Sequence, residues 1–146
     1  MGKWIRNAGL VALALVVVML LTSKPGEGVA PVPGVFKESL TLSAAVERAK
    51  ATQKPVLVYA TADWCGPCQQ FKRTTLVDPS IVEWIASRTE PVYLNIDRSR
   101  AEAASLSITS IPATILLRDG VPAARISGAV PPAEYLAWLQ SEAPGQ

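Results

Sequence analysis

The chain contains no histidine. A histidine general base, a cysteine–histidine dyad and a histidine-ligated metal are therefore all excluded, and any chemistry has to run on sulfur and oxygen groups. Cysteine is almost as scarce, with two residues, Cys65 and Cys68. Half a zinc site is the most they could make, and it fails for want of a second pair of Cys or His, so no metal is expected. Neither sign of charge prevails: from Pro31 onward eleven Lys/Arg meet eleven Asp/Glu, and the formal +2 arises where Lys3, Arg6 and Lys24 outweigh Glu27. A neutral domain has no electrostatic reason to seek nucleic acid. There is no internal repeat, and 146 residues leave room for one ordinary domain and a short appendage.

What the sequence does have begins with a long apolar run. Lys3 and Arg6 precede Ala8 to Leu21, which is apolar throughout apart from Gly9. A basic flank followed by such a run is an export signal. Fourteen residues suit a cleavable segment, yet Trp4, Ile5, Thr22 and Ser23 extend it toward the ~20 that a spanning helix requires. The small-x-small triplet Gly28-Val29-Ala30 lies well past the run and is followed by Pro31, so an uncleaved anchor is expected, with a removed signal as the alternative. In both cases the positive flank stays inside and the rest of the chain leaves the cytoplasm. Residues 1–22 are thus read as signal anchor or signal peptide, with membrane contact through residues 4–22. Residues 23–35, rich in Pro and Gly, are read as a linker that would reach roughly 40 Å in polyproline-like form. The folded domain is expected over 36–146.

Within that domain, Ser43 is expected to cap a helix running to about Gln53, which Pro55 stops. Val56 to Ala60 has the apolar character of a buried strand. A helical stretch from Gln69 to Val77 ends at Asp78-Pro79, and a second helical piece carries Ile81, Val82, Trp84 and Ile85. Pro91 to Ile96 is a further strand and Arg100 to Leu106 a short helix. Ala113–Leu117 and Ala123–Ile126 flank Asp119-Gly120, a strong hairpin signal. Pro131-Pro132 opens a last helix through Tyr135, Leu136, Trp138 and Leu139. This order implies an α/β fold, with parallel first strands joined by a crossover and an added antiparallel hairpin.

Trp64-Cys65-Gly66-Pro67-Cys68 falls between the first strand and the helix that follows it. That is the carboxyl end of a central strand, where ligand sites of open α/β sheets tend to lie. Two thiols in this spacing can form, lose and re-form a disulfide, the first exposed at a helix start and the second one turn inside. A permanent structural disulfide is a weaker reading, because so small a ring removes only about 2 kcal/mol of chain entropy, against about 4.7 for a 100-residue loop. Inert core thiols are argued against by Gly-Pro between them. The pattern therefore points to thiol-disulfide exchange.

Ala62-Asp63-Trp64-Cys65-Gly66-Pro67-Cys68, with Lys54-Pro55-Val56 before it, and Asn95-Ile96-Asp97, Ile111-Pro112-Ala113-Thr114, Gly120 and Gly128 after it, resembles the thioredoxin superfamily. The stretch from Tyr59 to Pro79 is similar to the exported C-terminal domain of DsbD-type thiol reductant conductors. The resemblance implies a thioredoxin-like fold, with a central four-stranded mixed sheet and helices on both faces, preceded here by the N-terminal hydrophobic helix. It implies Cys65 as attacking thiol and Cys68 as resolving thiol, with no cofactor beyond their disulfide. It further implies a cis Pro112 beside the thiols and the Ile111 backbone pairing with an extended substrate. Trp64, Gly66 and Pro67 complete the expected substrate surface. A free thiol of pKa about 8.5 is only about 3% thiolate at pH 7, and the shift to near 7 that the resemblance implies makes it about half.

The chain departs from the family it resembles in charge. Tyr59 stands where thioredoxins commonly place a buried Asp, Tyr93 where a Lys is usual, and Lys72 where DsbD-type domains carry a second carboxylate. The proton of Cys68 then has no obvious side-chain base, and Lys72 with Arg73 could instead favour thiolate. Against that, charges on helices are usually solvated. Asp63 is expected to be exposed rather than catalytic, and Trp84 and Trp138 to be packing residues. The expected protein is a monomeric, exported oxidoreductase that reduces disulfides of protein substrates and is recharged by a membrane electron donor. Its domain would face the periplasm or exterior from a single anchor or, with a cleaved signal, be soluble there. Disulfide oxidase or isomerase activity, or a non-catalytic binding module, are the alternatives.

Overall fold

The structure, a computed structural model, describes residues 28–142. The expected hydrophobic helix over residues 1–22, and residues 23–27 of the linker, lie outside the described residues. Among the described residues, no helix is long and apolar enough to cross a membrane.

The elements run α1 (Leu42–Thr52), β1 (Val56–Thr61), α2 (Gly66–Arg73), α3 (Pro79–Arg88), β2 (Glu90–Asn95), α4 (Arg100–Ser105), β3 (Ala113–Arg118), β4 (Val121–Ser127) and α5 (Pro132–Glu142), with single 3-10 turns at Gly34–Phe36 and Thr75–Val77. The sheet order is β2-β1-β3-β4. β1 pairs parallel with β2 and antiparallel with β3, and β3 pairs antiparallel with β4. The expected mixed four-stranded sheet is therefore present, with β1 at its centre. Pro91 and Pro122 fall on the two edge strands, where a missing N–H leaves no ladder bond unmade in the middle of the sheet. Asp119 and Gly120 both have positive φ, 53° and 78°, as a two-residue hairpin turn of the primed type requires.

Strand ends shift by one or two residues from expectation, and the ends of the first two helices differ for local reasons. Thr41, rather than Ser43, caps α1, its hydroxyl accepting from Ala44 N at 3.3 Å. α2 starts at Gly66 instead of Gln69, because Cys65 Sγ accepts from Cys68 N at 3.2 Å and Pro67 suits the first turn. It ends at Arg73, and the chain tightens through the 3-10 turn before Asp78 caps α3 by accepting from Ser80 N and Ile81 N.

β1 is buried along its whole length, and its side chains divide by the period of two. Leu57 and Tyr59 enter a cluster with Phe36, Phe71, Leu76, Ile81, Trp84, Ile85, Leu116, Tyr135 and Leu139, which α2, α3 and α5 cover. Val56, Val58 and Ala60 enter another with Val92, Leu94, Ile115 and Leu117, which α1 and α4 cover through Ala45, Ala103 and Leu106. Helices thus lie on both faces, and the Cys65–Cys68 turn emerges at the carboxyl end of the central strand.

Candidate active site

Cys65 and Cys68 are joined in a disulfide with S–S 2.03 Å and Cα–Cα 5.2 Å. Cys68 is fully buried, and Cys65 has only 4% of its surface exposed. The first sulfur is thus the outer of the two, though more covered than the expectation of an exposed thiol. Ala62, Ile96 and Ile111 pack around the pair. As N-cap of α2, Cys65 sits where the helix's free N–H groups and positive dipole end favour negative charge on its sulfur.

The Ile111–Pro112 bond is cis. Pro112 is buried at the entry to β3, and Ile111 is half-buried against the disulfide. Gly66 and Pro67 are exposed on the turn. Trp64 is 69% exposed, its indole N–H donating to Asp97 Oδ2 at 2.9 Å. An exposed indole so held offers a flat apolar face beside the sulfurs. Asp63 lies lower on the rim, accepting from Arg98 Nη2 at 2.9 Å and from Asn95 Nδ2 at 3.3 Å. Trp84 is a core residue, and Trp138 stacks on Tyr135 with centroids 5.9 Å apart.

Below the disulfide the floor is polar in a way the sequence did not announce. Tyr59 O–H donates to the Cys68 carbonyl at 3.3 Å, and its ring packs 5.8 Å from that of Tyr93 on the neighbouring strand. Burial holds both phenols above their usual pKa, so they remain neutral hydroxyls. Gln69 is buried and donates to the carbonyls of Ala62 and Asp63 at 3.1 and 3.0 Å. Lys72, for which a solvated helix charge and a role in favouring thiolate both stood open, is 2% exposed. Its ammonium donates to Ala30 O at 3.0 Å and to Tyr93 Oη at 3.2 Å, and lies 5.8 Å from the Tyr93 ring centroid. Desolvation lowers its pKa, an effect that Asp63 opposes and Arg73 reinforces. The signs in the sequence were the departures at Tyr59, Tyr93 and Lys72 and the spacing: Gln69 follows Cys65 by four and Lys72 follows Cys68 by four, so each shares a helix face with a cysteine.

The partner of this floor is the end of the Pro/Gly-rich stretch. Ala30 is buried, and its N–H donates to Gln69 Oε1 at 2.7 Å while its carbonyl takes the Lys72 ammonium. Arg73 reaches the Gly28 carbonyl, and Pro33 is buried as well. Residues 28–33 therefore lie along α2 as a strap bonded through its backbone. Among the described residues no group of three His, Cys, Asp or Glu side chains could hold a metal ion.

Comparison with known proteins agrees with this geometry. Residues 42–143 match a family described as thioredoxin-like domain. A thioredoxin of Mycobacterium tuberculosis is 35% identical over 97 residues, spanning 64% of this chain and 78% of that protein. Among solved structures, a thioredoxin from Thermus thermophilus superposes with TM-score 0.61 at 25% identity, covering 68% of this chain and 81% of the other. The oxidised C-terminal domain of DsbD from Neisseria meningitidis gives TM-score 0.60 at 19% identity, covering 68% and 90%, a likeness of fold.

Proposed function

This chain belongs to the thioredoxin-like family and is a thiol-disulfide oxidoreductase, and on that premise we propose that it is an exported reductant of protein disulfides in which Cys65 attacks and Cys68 resolves. The observation that carries the reading is the Cys65–Cys68 disulfide at the start of α2, with the outer sulfur at the helix N-cap and the inner one buried a turn below.

The chemistry is a double exchange. The Cys65 thiolate attacks one sulfur of a substrate disulfide, the substrate S–S bond breaks, and its other sulfur leaves as thiolate. Cys68 then loses its proton and attacks Cys65 Sγ of the mixed disulfide, which releases the second substrate sulfur as thiolate. Two electrons have moved to the substrate, and the Cys65–Cys68 bond remains. Ile111 and Pro112, with Trp64, Gly66 and Pro67, form the surface against which an extended substrate segment lies. Reduction is favoured because the Gly66-Pro67 pair resembles that of reducing relatives. One turnover uses both cysteines, so a dithiol donor has to recharge them, and an exported domain finds that donor in a membrane electron conductor. Lys3 and Arg6 before Ala8–Leu21 support export, with residues 4–22 as a single anchor and the domain acting as a monomer on the periplasmic or outer side.

Insulin reduction by the full chain, followed beside Cys65→Ser and Cys68→Ser, tests this reading. The wild type is expected to reduce insulin, Cys65→Ser to fall to background, and Cys68→Ser to accumulate a mixed disulfide. A reduced wild type with no activity above Cys65→Ser would instead mark a binding module with idle cysteines.

A further inference from the structure

Lys72 carries its charge inside the molecule without a carboxylate beside it. The three ion pairs among the described residues are Arg48–Glu90, Lys50–Glu47 and Arg98–Asp63, so no described carboxylate lies within 4.0 Å of its ammonium. Its bonding partners are neutral dipoles: the Ala30 carbonyl from the strap, and the Tyr93 hydroxyl and ring from β2. Asp63, at the end of β1, is the carboxylate that acts on it from a distance, and both its oxygens are already engaged, by Arg98 and Asn95. Arg73 on its own helix adds positive charge, and Tyr59 and Tyr93 stay protonated. A buried ammonium held only by dipoles is a strongly unfavourable arrangement unless an anion completes it.

The anion is supplied by the site's own chemistry. Lys72 follows Cys68 by one turn of α2, a rise of roughly 6 Å on the same buried face. When the disulfide opens, negative charge appears on sulfur at that end of the helix, in a poorly screened interior. We propose that Lys72 is the built-in countercharge of the active-site thiolate, a positioning residue that lowers thiol pKa and stabilises the reduced form relative to the disulfide. In balance, the disulfide accepts two electrons from a dithiol donor and, with one sulfur kept as thiolate beside Lys72, takes up one proton rather than two. The Ala30 carbonyl fixes where the ammonium sits, so the strap belongs to the same device. By stabilising the reduced form, Lys72 makes the couple more oxidising than its Gly-Pro motif alone would.

This inference rests on the oxidoreductase reading, and the experiment separates the two. The full chain is compared with Lys72→Met, which keeps the volume without the charge, and with Lys72→Arg, which keeps the charge. Folding is checked by circular dichroism, with Lys72→Gln as a second neutral variant. The reduced proteins are titrated by thiolate absorbance, which needs no catalytic activity, and then equilibrated with glutathione. Lys72→Met is expected to raise the pKa of the first thiol to ionise by about one unit and to shift the glutathione equilibrium about tenfold toward the disulfide, about 30 mV for this two-electron couple. Lys72→Arg is expected to hold both near wild type. Wild-type values in Lys72→Met, or equal shifts in Lys72→Met and Lys72→Arg, overturn the proposal. Failure of the wild type to reduce insulin counts against the oxidoreductase reading instead, and the titration still decides the role of Lys72.

Discussion

The two faces of the sheet solve the same burial problem with different side chains. One face is aliphatic: Val56, Val58, Ala60, Val92, Leu94, Ile115 and Leu117 under α1 and α4. The other is aromatic, with Phe36, Tyr59, Phe71, Trp84 and Tyr135 under α2, α3 and α5. Aliphatic packing closes the sheet and offers no hydrogen bonds. Aromatic packing excludes water equally well, and its phenols bring hydroxyls to the Cys68 carbonyl, to Thr114 and to Lys72. The helix that carries the disulfide lies on this second face. A polar floor beneath a redox site can therefore sit inside a core with nearly all its polar atoms paired, the Thr61 hydroxyl being the one buried side-chain oxygen among the described residues without a partner.

If the faces divide labour in this way, substitutions should separate stability from exchange. Phe71 packs 5.7 Å from Tyr59 and 5.1 Å from Tyr135, and joins α2 to the sheet. Phe71→Ala is expected to cost about 3–5 kcal/mol in urea unfolding and also to slow insulin reduction. Leu94→Ala, on the aliphatic face, is expected to cost about 2–5 kcal/mol with the exchange rate of the folded fraction unchanged. A Leu94→Ala protein that loses exchange in proportion to Phe71→Ala would break the comparison.

Alkali offers a second test, because only the aromatic cluster contributes buried phenols. Tyr59, Tyr93 and Tyr135 all have folded-state pKa values raised from 10.0, with burial as the first cause. The unfolded chain therefore loses these protons first as pH rises. Their stabilisation is fully present below pH 10.0 and is lost as pH climbs through the folded values. Denaturation midpoints are expected to fall above that pH, and the fall to be shallower in Tyr59→Phe. An unaltered slope in that variant would count against the buried phenol as its source. The smallest expected effect is that of a single hydroxyl. Tyr135 Oη and Thr114 Oγ1 share a buried hydrogen bond of 2.9 Å, and Tyr135→Phe is expected to cost about 1–2 kcal/mol with no change in thiol pKa, which equilibrium unfolding and thiolate titration would check.

Much of the architecture was legible because its signals are local. Asp119-Gly120 announces the hairpin, since few other pairs accept two successive positive φ angles. The apolar runs of β1 and β2 announce buried strands, and prolines mark where α1 stops and α3 and α5 begin. Cap placement was harder. Thr41 and Ser43 both suit the start of α1, and the start of α2 was hidden because a cysteine, rather than a hydroxyl or carboxylate, caps it. Cys65, Cys68, Ile111 and Pro112 were named through the motif and its resemblance, and the structure joins the two cysteines and packs Ile111, the residue before cis Pro112, against them. Of the floor, Tyr59, Tyr93 and Lys72 stood out only as departures from the family pattern, whereas Gln69, which has no signature of its own, and the bonds that join these residues were missed.

The amino-acid sequence by itself determined the CxxC spacing, the absence of histidine and the alternation of strand and helix. These follow from residue identity and near-neighbour geometry. Only the tertiary structure decided that Lys72 is buried, that its carbonyl partner comes from Ala30, 42 positions away, and that Tyr93 stands opposite Tyr59 across two parallel strands. Spacing along one helix names the face a charge occupies. Whether that face meets water or a core depends on what the rest of the chain lays over it.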